Sequence, residues 1–228
     1  MERIDSSIIP PSYITNNLLR VASLLASPQP LVVDSTNGFH TTIFAYGCTG
    51  SGKTHTIMGD IDTPENIDCL ADSPESGIIP RAVDLLFKIL SESSKTSMVF
   101  VTYVELHNNT FYDLLAKDNS NKIDIRESSA DDGKGVYLSG VERKQVTSTD
   151  EVHNHVREGN KIRATATTNL NQRSSRSHAL LTLEIETIAP SSATSVKMGK
   201  LNIVDLAGSE RVQLSGVVGD ALAEGEIR

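Results

Sequence analysis

Gly47, Gly52, Lys53 and Thr54 stand at the fixed positions of G-x-x-x-x-G-K-[ST] in the string "GCTGSGKT". Such a string is suited to binding phosphate. Its glycines let backbone N–H groups turn inward, its lysine ammonium meets the β- and γ-phosphates, and its threonine hydroxyl takes a place on Mg²⁺. Cys48, Thr49, Gly50 and Ser51 fill the rest of the loop and complete the candidate nucleotide site. A Gly/Ser-rich surface turn could share this composition. The context argues against that: the apolar run "TIFAY" precedes the loop, and a short helix is expected from Lys53.

A second element is needed on a neighbouring strand to hold the metal through water, and "KLNIVDLAG" offers one. Asp205 closes an apolar strand, and Gly208 follows at D-x-x-G spacing, where its N–H can sense a γ-phosphate. Alone this spacing is weak, because an aspartate often caps a turn. Between the two motifs lies "NLNQRSSRSH", 169–178. Its hydroxyls and guanidinium groups suit Mg²⁺, γ-phosphate and a carboxylate partner. Composition by itself would equally allow a polar loop or a phosphorylation site.

These motifs need a sheet to hold them. "SMVFVTYVELH" is a near-continuous apolar run rich in β-branched residues, expected as a central strand covered on both faces. "LLTLEIETI" alternates, with Leu181, Leu183 and Ile185 on one face, and "VYLSGVERKQV" is strand-like with a Gly break. Helices are expected over "IIPRAVDLLFKILSES" and "STDEVHNHVREGNKIR", the second opened by a Ser148/Glu151 capping box. A short amphipathic helix is expected over Ile14 to Leu25, and a polar loop over "GDIDTPENIDCLADSPESG". Strands alternate with helices, so the expected class is α/β with a mostly buried sheet.

The 228 residues suffice for one sizeable domain. No apolar run approaches the roughly 18 residues of a membrane span, and the N-terminus has no signal-peptide layout. Cys48 and Cys69 are the only cysteines and lack metal-site spacing, so free thiols and a cytoplasmic location are expected. A net charge of −8 argues against non-specific binding to nucleic acid or to an anionic membrane. Asn121-Lys122-Ile123-Asp124 spells N-K-x-D, a guanine-reading pattern. Here it follows a polar turn and precedes Asp205, the reverse of the GTPase order, so a surface loop is the better reading.

The string N-x-x-S-S-R-S-H, here Asn171, Ser174, Ser175, Arg176, Ser177 and His178, resembles the first nucleotide-sensing switch of kinesin motor domains. "FAYGCTGSGKTHTIMG", "GIIPRAVDLLF", "VELHNNTFYDLL" and "LNIVDLAGSERV" resemble kinesin motifs in kinesin order, over about Leu31 to Val212. The stretch "KMGKLNIVDLAGSE" and the long loop before "GIIPR" are somewhat like the kinesin-5 group. The resemblance implies a P-loop NTPase fold, a three-layer α-β-α stack around a mixed central sheet, and a motor that binds and hydrolyses ATP with Mg²⁺ and moves along microtubules, within the cytoplasm and its cytoskeleton.

It also implies roles. Gly47, Gly50, Gly52 and Lys53 would bind phosphates, and His55 would pack near adenine. Thr54 and Ser175 would meet Mg²⁺, and Asp205 would hold it through water. Asn171 would contact nucleotide and Gly208 the γ-phosphate. Arg176 and Glu210 would form an ion pair that positions the attacking water. Residues 1–30 match poorly, with no R-x-R-P-like adenine motif before residue 38, and 31–228 match a motor domain in part. Before Arg228 there is no counterpart of the long microtubule-contacting helix or the neck linker, so truncation at both ends is expected. Lys134, Arg143 and Lys144 are the remaining candidates for acidic tubulin, with a solvated strand edge as the plainer reading. The rival to a motor is a non-motile nucleotide-binding fragment.

Overall fold

The computed structural model describes residues 28–59, 61, 76–117, 122–127, 136–165, 173–188 and 196–210. The helix expected at Ile14 to Leu25 and the polar loop, but for Gly59, Ile61, Ser76 and Gly77 at its ends, lie outside those residues, as do Cys69, Asn121, Lys134 and Asn171.

The chain begins its described part with helix α1 (Gln29–Thr36), then strand β1 (His40–Ala45) and the short helix α2 (Lys53–Met58). Helix α3 (Ile78–Glu92) leads into the long strand β2 (Thr96–His107). Four short strands follow: β3 (Thr110–Asp113), β4 (Asp124–Glu127), β5 (Val136–Ser139) and β6 (Lys144–Val146). Helix α4 (Thr149–Thr165), the single turn α5 (Arg173–Arg176), β7 (His178–Ile188) and β8 (Val196–Asp205) complete it.

Strands run in the order β1-β8-β7-β2-β3, with β6 sharing the far edge of β2. β1 and β8 are parallel, whereas β8–β7, β7–β2, β2–β3 and β2–β6 are antiparallel, so the sheet is mixed. The last strand in sequence is thus inserted between the first and β7. That insertion carries Asp205 to a position opposite Ala45, at the mouth of the phosphate loop. The β2–β3 hairpin turns on Asn108 and Asn109, both with positive φ (49° and 57°), the twist that a two-residue turn needs.

One face of the sheet makes the core. Val99, Val101 and Tyr103 of β2, Leu181, Leu183 and Ile185 of β7, and Leu201 and Ile203 of β8 alternate along their strands and are almost fully buried. Helices α1 to α4 pack on this face: Ile79, Val83 and Leu86 of α3 and Val152 and Val156 of α4 belong to the same cluster. The Tyr103 hydroxyl donates to Asn160 Oδ1 (2.8 Å), which sets α4 across β2. The start of α4 keeps half of its expected capping box. Glu151 N–H donates to Ser148 Oγ (3.3 Å), but the Glu151 carboxylate reaches one residue further back, to Thr147 N–H (2.7 Å).

The opposite face is polar. Thr182 donates to Asn202 Oδ1 (2.9 Å), and Asn202 Nδ2 donates to the Thr41 carbonyl (3.2 Å), a string crossing β7, β8 and β1. Arg143 stacks on Phe100, 3.4 Å from the ring centre. Its guanidinium forks to Glu184 (2.7 Å) and Glu186 (2.5 Å), and Lys200 meets Glu184 at 3.0 Å. The β4–β5 ribbon stands over this face and encloses with it a cleft of about 580 Å³. Arg143, one candidate for tubulin, is therefore committed within the chain. Lys144 lies 3.6 Å from Glu142.

Two outcomes follow from this packing. Gly199 of β8 lies against the Ser35 carbonyl of α1, where an added Cβ would overlap backbone. Gly199→Ala should cost about 1–3 kcal/mol of overpacking, read as a lowered urea midpoint with unchanged slope. At Glu184, burial pushes the carboxyl up, but Lys200 and Arg143 outweigh it and hold it below the usual range. A depressed carboxyl contributes stability present above its unfolded value of about 4.3 and lost as pH falls through the folded value. Glu184→Gln should therefore destabilise at pH 7 and shrink the stability difference between pH 7 and acid. Parallel urea titrations at the two pH values measure it, and an undiminished difference would count against the assignment.

Candidate functional site: a phosphate loop joined to Asp205

Strand β1 delivers the chain into the loop, and β1 ends because the next residues must turn. Gly50 (φ 79°) and Gly52 (φ 89°) adopt left-handed backbone that a side chain would strain. Ser51 N–H donates to Cys48 C=O (3.2 Å), closing the turn. Helix α2 starts at Lys53, and Thr56 N–H returns to Gly52 C=O (2.9 Å). Lys53 is buried, and its ammonium donates to the carbonyls of Gly47 and Cys48, both at 2.9 Å. Cys48 carries a free, exposed thiol, and Thr54 and His55 are exposed at the mouth.

Three contacts bring the D-x-x-G segment onto this loop. Thr54 Oγ1 donates to Asp205 Oδ2 at 2.8 Å. Ser209 N–H donates to Gly47 C=O at 3.0 Å. The Glu210 carboxylate accepts from Thr49 N–H at 2.9 Å and from the Thr49 hydroxyl. Gly208 sits beneath this latch, where a Cβ would overlap the Glu210 carboxylate and the Thr49 hydroxyl. Its N–H donates to Ser175 C=O at 2.9 Å, which ties the turn α5 to the same place. His178 Nδ1 accepts from Ala207 N–H at 3.1 Å, a bond that puts the neutral ring's proton on Nε2. The structure therefore gathers Gly47, Thr49, Lys53, Thr54, Ser175, Asp205, Gly208 and Glu210, drawn from three separate motifs.

Two participants escaped the sequence reading. Arg163 and Glu105 are buried, with side-chain exposures of 6% and 1%, and Arg163 joins Asp205 (3.2 Å) to Glu105 (3.4 Å). The available signal was Glu105 itself: β2 was expected to be covered on both faces, helices cover only one, and a carboxylate on that buried face calls for a buried cation. Nothing in local spacing says that the cation comes from the far end of α4.

The residues fit a Mg²⁺ ion. Asp205 Oδ1 is buried with no hydrogen-bond partner among the described residues, while Oδ2 is saturated. Among the described residues no cluster of three His, Cys, Asp or Glu could hold a metal by itself. A hydroxyl, one carboxylate and phosphate oxygens make the oxygen-rich, water-retaining set that Mg²⁺ prefers. The N-K-x-D string reads as surface: Lys122 pairs with Asp124 at 2.9 Å with side chains 85% and 43% exposed.

The kinesin motor domain family matches residues 20–227. The chain belongs to the kinesin motor-domain family. It is 40% identical to kinesin-like protein KIN-5C of Arabidopsis thaliana over 208 residues, which is 87% of this chain and 21% of that protein. It is also 40% identical to kinesin-like protein Klp61F of Drosophila melanogaster, over 82% of this chain and 18% of that one. A kinesin heavy chain of Neurospora crassa matches at 40% over 87% of this chain and 20% of its own length. The chain thus spans about a fifth of these relatives. A solved structure of a fast kinesin, described with its ATPase mechanism and its interactions with microtubules, is 38% identical. The match has a TM-score of 0.74 and covers 90% of this chain and 55% of that one. The fold is accordingly that of a P-loop NTPase of the kinesin type, with a mixed central sheet. The helices α1 to α4 form one of its outer layers.

Thr54 gives the site a direct test. Thr54→Ala removes one exposed hydroxyl bonded to Asp205, so folding stability should change by about 1 kcal/mol or less. Mg²⁺-dependent binding of a fluorescent ATP analogue should fall at the same time by roughly tenfold or more. Equal Mg²⁺ dependence in variant and parent would remove Thr54 from the metal site.

Proposed function

We propose that this chain is the nucleotide-binding part of a kinesin motor, which hydrolyses ATP with Mg²⁺ and couples the hydrolysis to movement along microtubules in the cytoplasm. The observation that carries the reading is the Thr54–Asp205 hydrogen bond at 2.8 Å, with Asp205 Oδ1 left buried and unpartnered beside it. It joins the phosphate loop to the strand whose next residues form the D-x-x-G turn.

The chain's own residues then have definite work. The N–H groups of the loop from Gly47 to Gly52 bind phosphate oxygens, and the Lys53 ammonium exchanges its contacts with the Gly47 and Cys48 carbonyls for the β- and γ-phosphates. His55, exposed at the end of the loop, packs by the adenine. Thr54, Ser175 and Asp205 would hold Mg²⁺, Asp205 through water, and the bound ion would supply neutralisation of charge on the phosphates. Asn171 contacts the nucleotide.

The γ-phosphate competes for the Gly208 N–H that now donates to Ser175 C=O, so its arrival and departure rearrange both segments. Glu210, whose carboxylate accepts from Thr49, forms with Arg176 the pair that positions the attacking water. The Arg176–Glu210 pair and the Gly208 N–H are the elements that report nucleotide state to the rest of a motor.

A second reading, nucleotide turnover without microtubule coupling, is favoured by one finding: Arg143 spends its charge on Glu184 and Glu186. Steady-state ATP turnover with and without polymerised microtubules separates the readings, with Lys53→Ala as control. The motor reading expects turnover raised by microtubules and reduced roughly 100-fold or more in Lys53→Ala. Turnover indifferent to microtubules selects the second reading. A chain that neither binds nor turns over ATP defeats both.

A further inference from the structure

We infer that His178 is a positioning residue for nucleotide sensing: its Nδ1 pins the Ala207 amide, and so fixes the stem from which the next amide, that of Gly208, meets either Ser175 or a γ-phosphate. The inference deepens the proposed function and rests on it.

Three successive amides beyond Asp205 have three different acceptors. Ala207 N–H donates to His178 Nδ1 at 3.1 Å. Gly208 N–H donates to Ser175 C=O at 2.9 Å, and Ser209 N–H to Gly47 C=O at 3.0 Å. The last two acceptors are carbonyls of the turn α5 and the phosphate loop, the segments that meet nucleotide in the proposed function. The first is the side chain of the residue that opens β7. That strand is held on both sides: His178 lies opposite Leu106 of β2, and Ala179 lies opposite Asp205 of β8. The Ala179–Asp205 pair is the last of the β7–β8 ladder. The His178 ring therefore extends, by one side chain, a hold that backbone pairing gives up at Asp205.

The residue type matters. A neutral imidazole offers one acceptor nitrogen, and here it is Nδ1, the one bonded directly to Cγ. Two side-chain torsions separate that atom from a backbone already fixed in the sheet, so the acceptor has little freedom. Ala207 is 4% exposed, and its N–H has little water to turn to if the ring is withdrawn. A γ-phosphate can take the Gly208 N–H from Ser175 while the Ala207 bond stays in place, because the two amides have acceptors on different elements. Without the Nδ1 acceptor the Ala207 peptide must seek another partner, and the Gly208 amide loses its fixed aim. The other phosphates meet the loop from Gly47 to Lys53, which does not depend on this bond. The mark of His178 is therefore discrimination between a triphosphate and a diphosphate, not nucleotide affinity as such.

The test uses the whole chain and its His178→Asn and His178→Leu variants. Asparagine carries Oδ1 at the branch where histidine carries Nδ1, and leucine has the same outline without an acceptor. Each protein is titrated with fluorescent ADP and with a fluorescent non-hydrolysable ATP analogue, both with Mg²⁺, and a thermal melt is recorded beside them. In His178→Leu the ratio of the two affinities should shift by about tenfold against the ATP analogue, with ADP affinity within about threefold of the parent, while His178→Asn keeps the parent's ratio. A ratio unchanged in His178→Leu, or shifted equally in both variants, overturns the inference. Both affinities lowered alike, with a lower melting temperature, would show a structural role and overturn it too. Should His178→Leu fail to fold, amide hydrogen exchange in the parent decides. Ala207 protected equally with ADP and with the ATP analogue upholds the pin, and protection lost with the ATP analogue defeats it. A parent that binds neither nucleotide defeats the proposed function first and this inference with it.

Discussion

Asp205 is where three parts of the chain are forced together. Its Oδ2 accepts from Thr54 at the phosphate loop and from Arg163 at the end of α4, and its strand ends beside Ala45. The constraint behind it is electrostatic. Two carboxylates, Asp205 and Glu105, and one guanidinium are withdrawn from water together, and charges so buried persist only when paired. The order β1-β8-β7-β2 of the sheet, and the lie of α4 across it, bring the three charges together. The residues after Asp205 then run between two neighbours: Ala207 and Gly208 bond to His178 and Ser175, and Ser209 and Glu210 bond to the phosphate loop.

The two faces of the sheet are built on different physics. The helix-covered face is apolar and close-packed, so its geometry is stiff, and it is this face that presents Asp205, Glu105 and Tyr103. The opposite face is held by hydrogen bonds and by the Arg143, Glu184, Glu186 and Lys200 cluster beneath the β4–β5 ribbon. A surface of that kind satisfies its own charges. It explains why a cation that the family resemblance marks for an acidic partner, Arg143, has its partners inside the chain.

Much of the site was legible because its parts are local. A glycine loop ending in Lys53-Thr54 must follow a strand and open a helix, since its backbone conformation and phosphate geometry are set within eight residues. Asp205 and Gly208 were legible for a similar reason: an acid at the end of an apolar run, then a glycine where backbone must approach closely. The alternation in β7 and the helical spacing in α3 were equally plain. Less was visible where short elements lean on distant ones. The strands β3 and β4 have four residues each and no pattern that stands out from a loop, and the Asn108-Asn109 pair, which takes positive φ, was the overlooked hairpin signal.

By itself, the sequence determined which chemistry is available: a phosphate-binding loop, a metal-suited aspartate, a hydroxyl- and guanidinium-rich segment between them, and an α/β scaffold to carry them. These are properties of residue type and short spacing, and they survive without knowing what touches what. Only the tertiary structure decided that Arg163 reaches Asp205 from 42 positions away, that Glu210 bonds Thr49 across 161, and that Arg143 turns inward to Glu184 and Glu186. The physical reason is that a charge finds its partner by proximity in space. That proximity comes from how the sheet orders its strands, which no local pattern encodes.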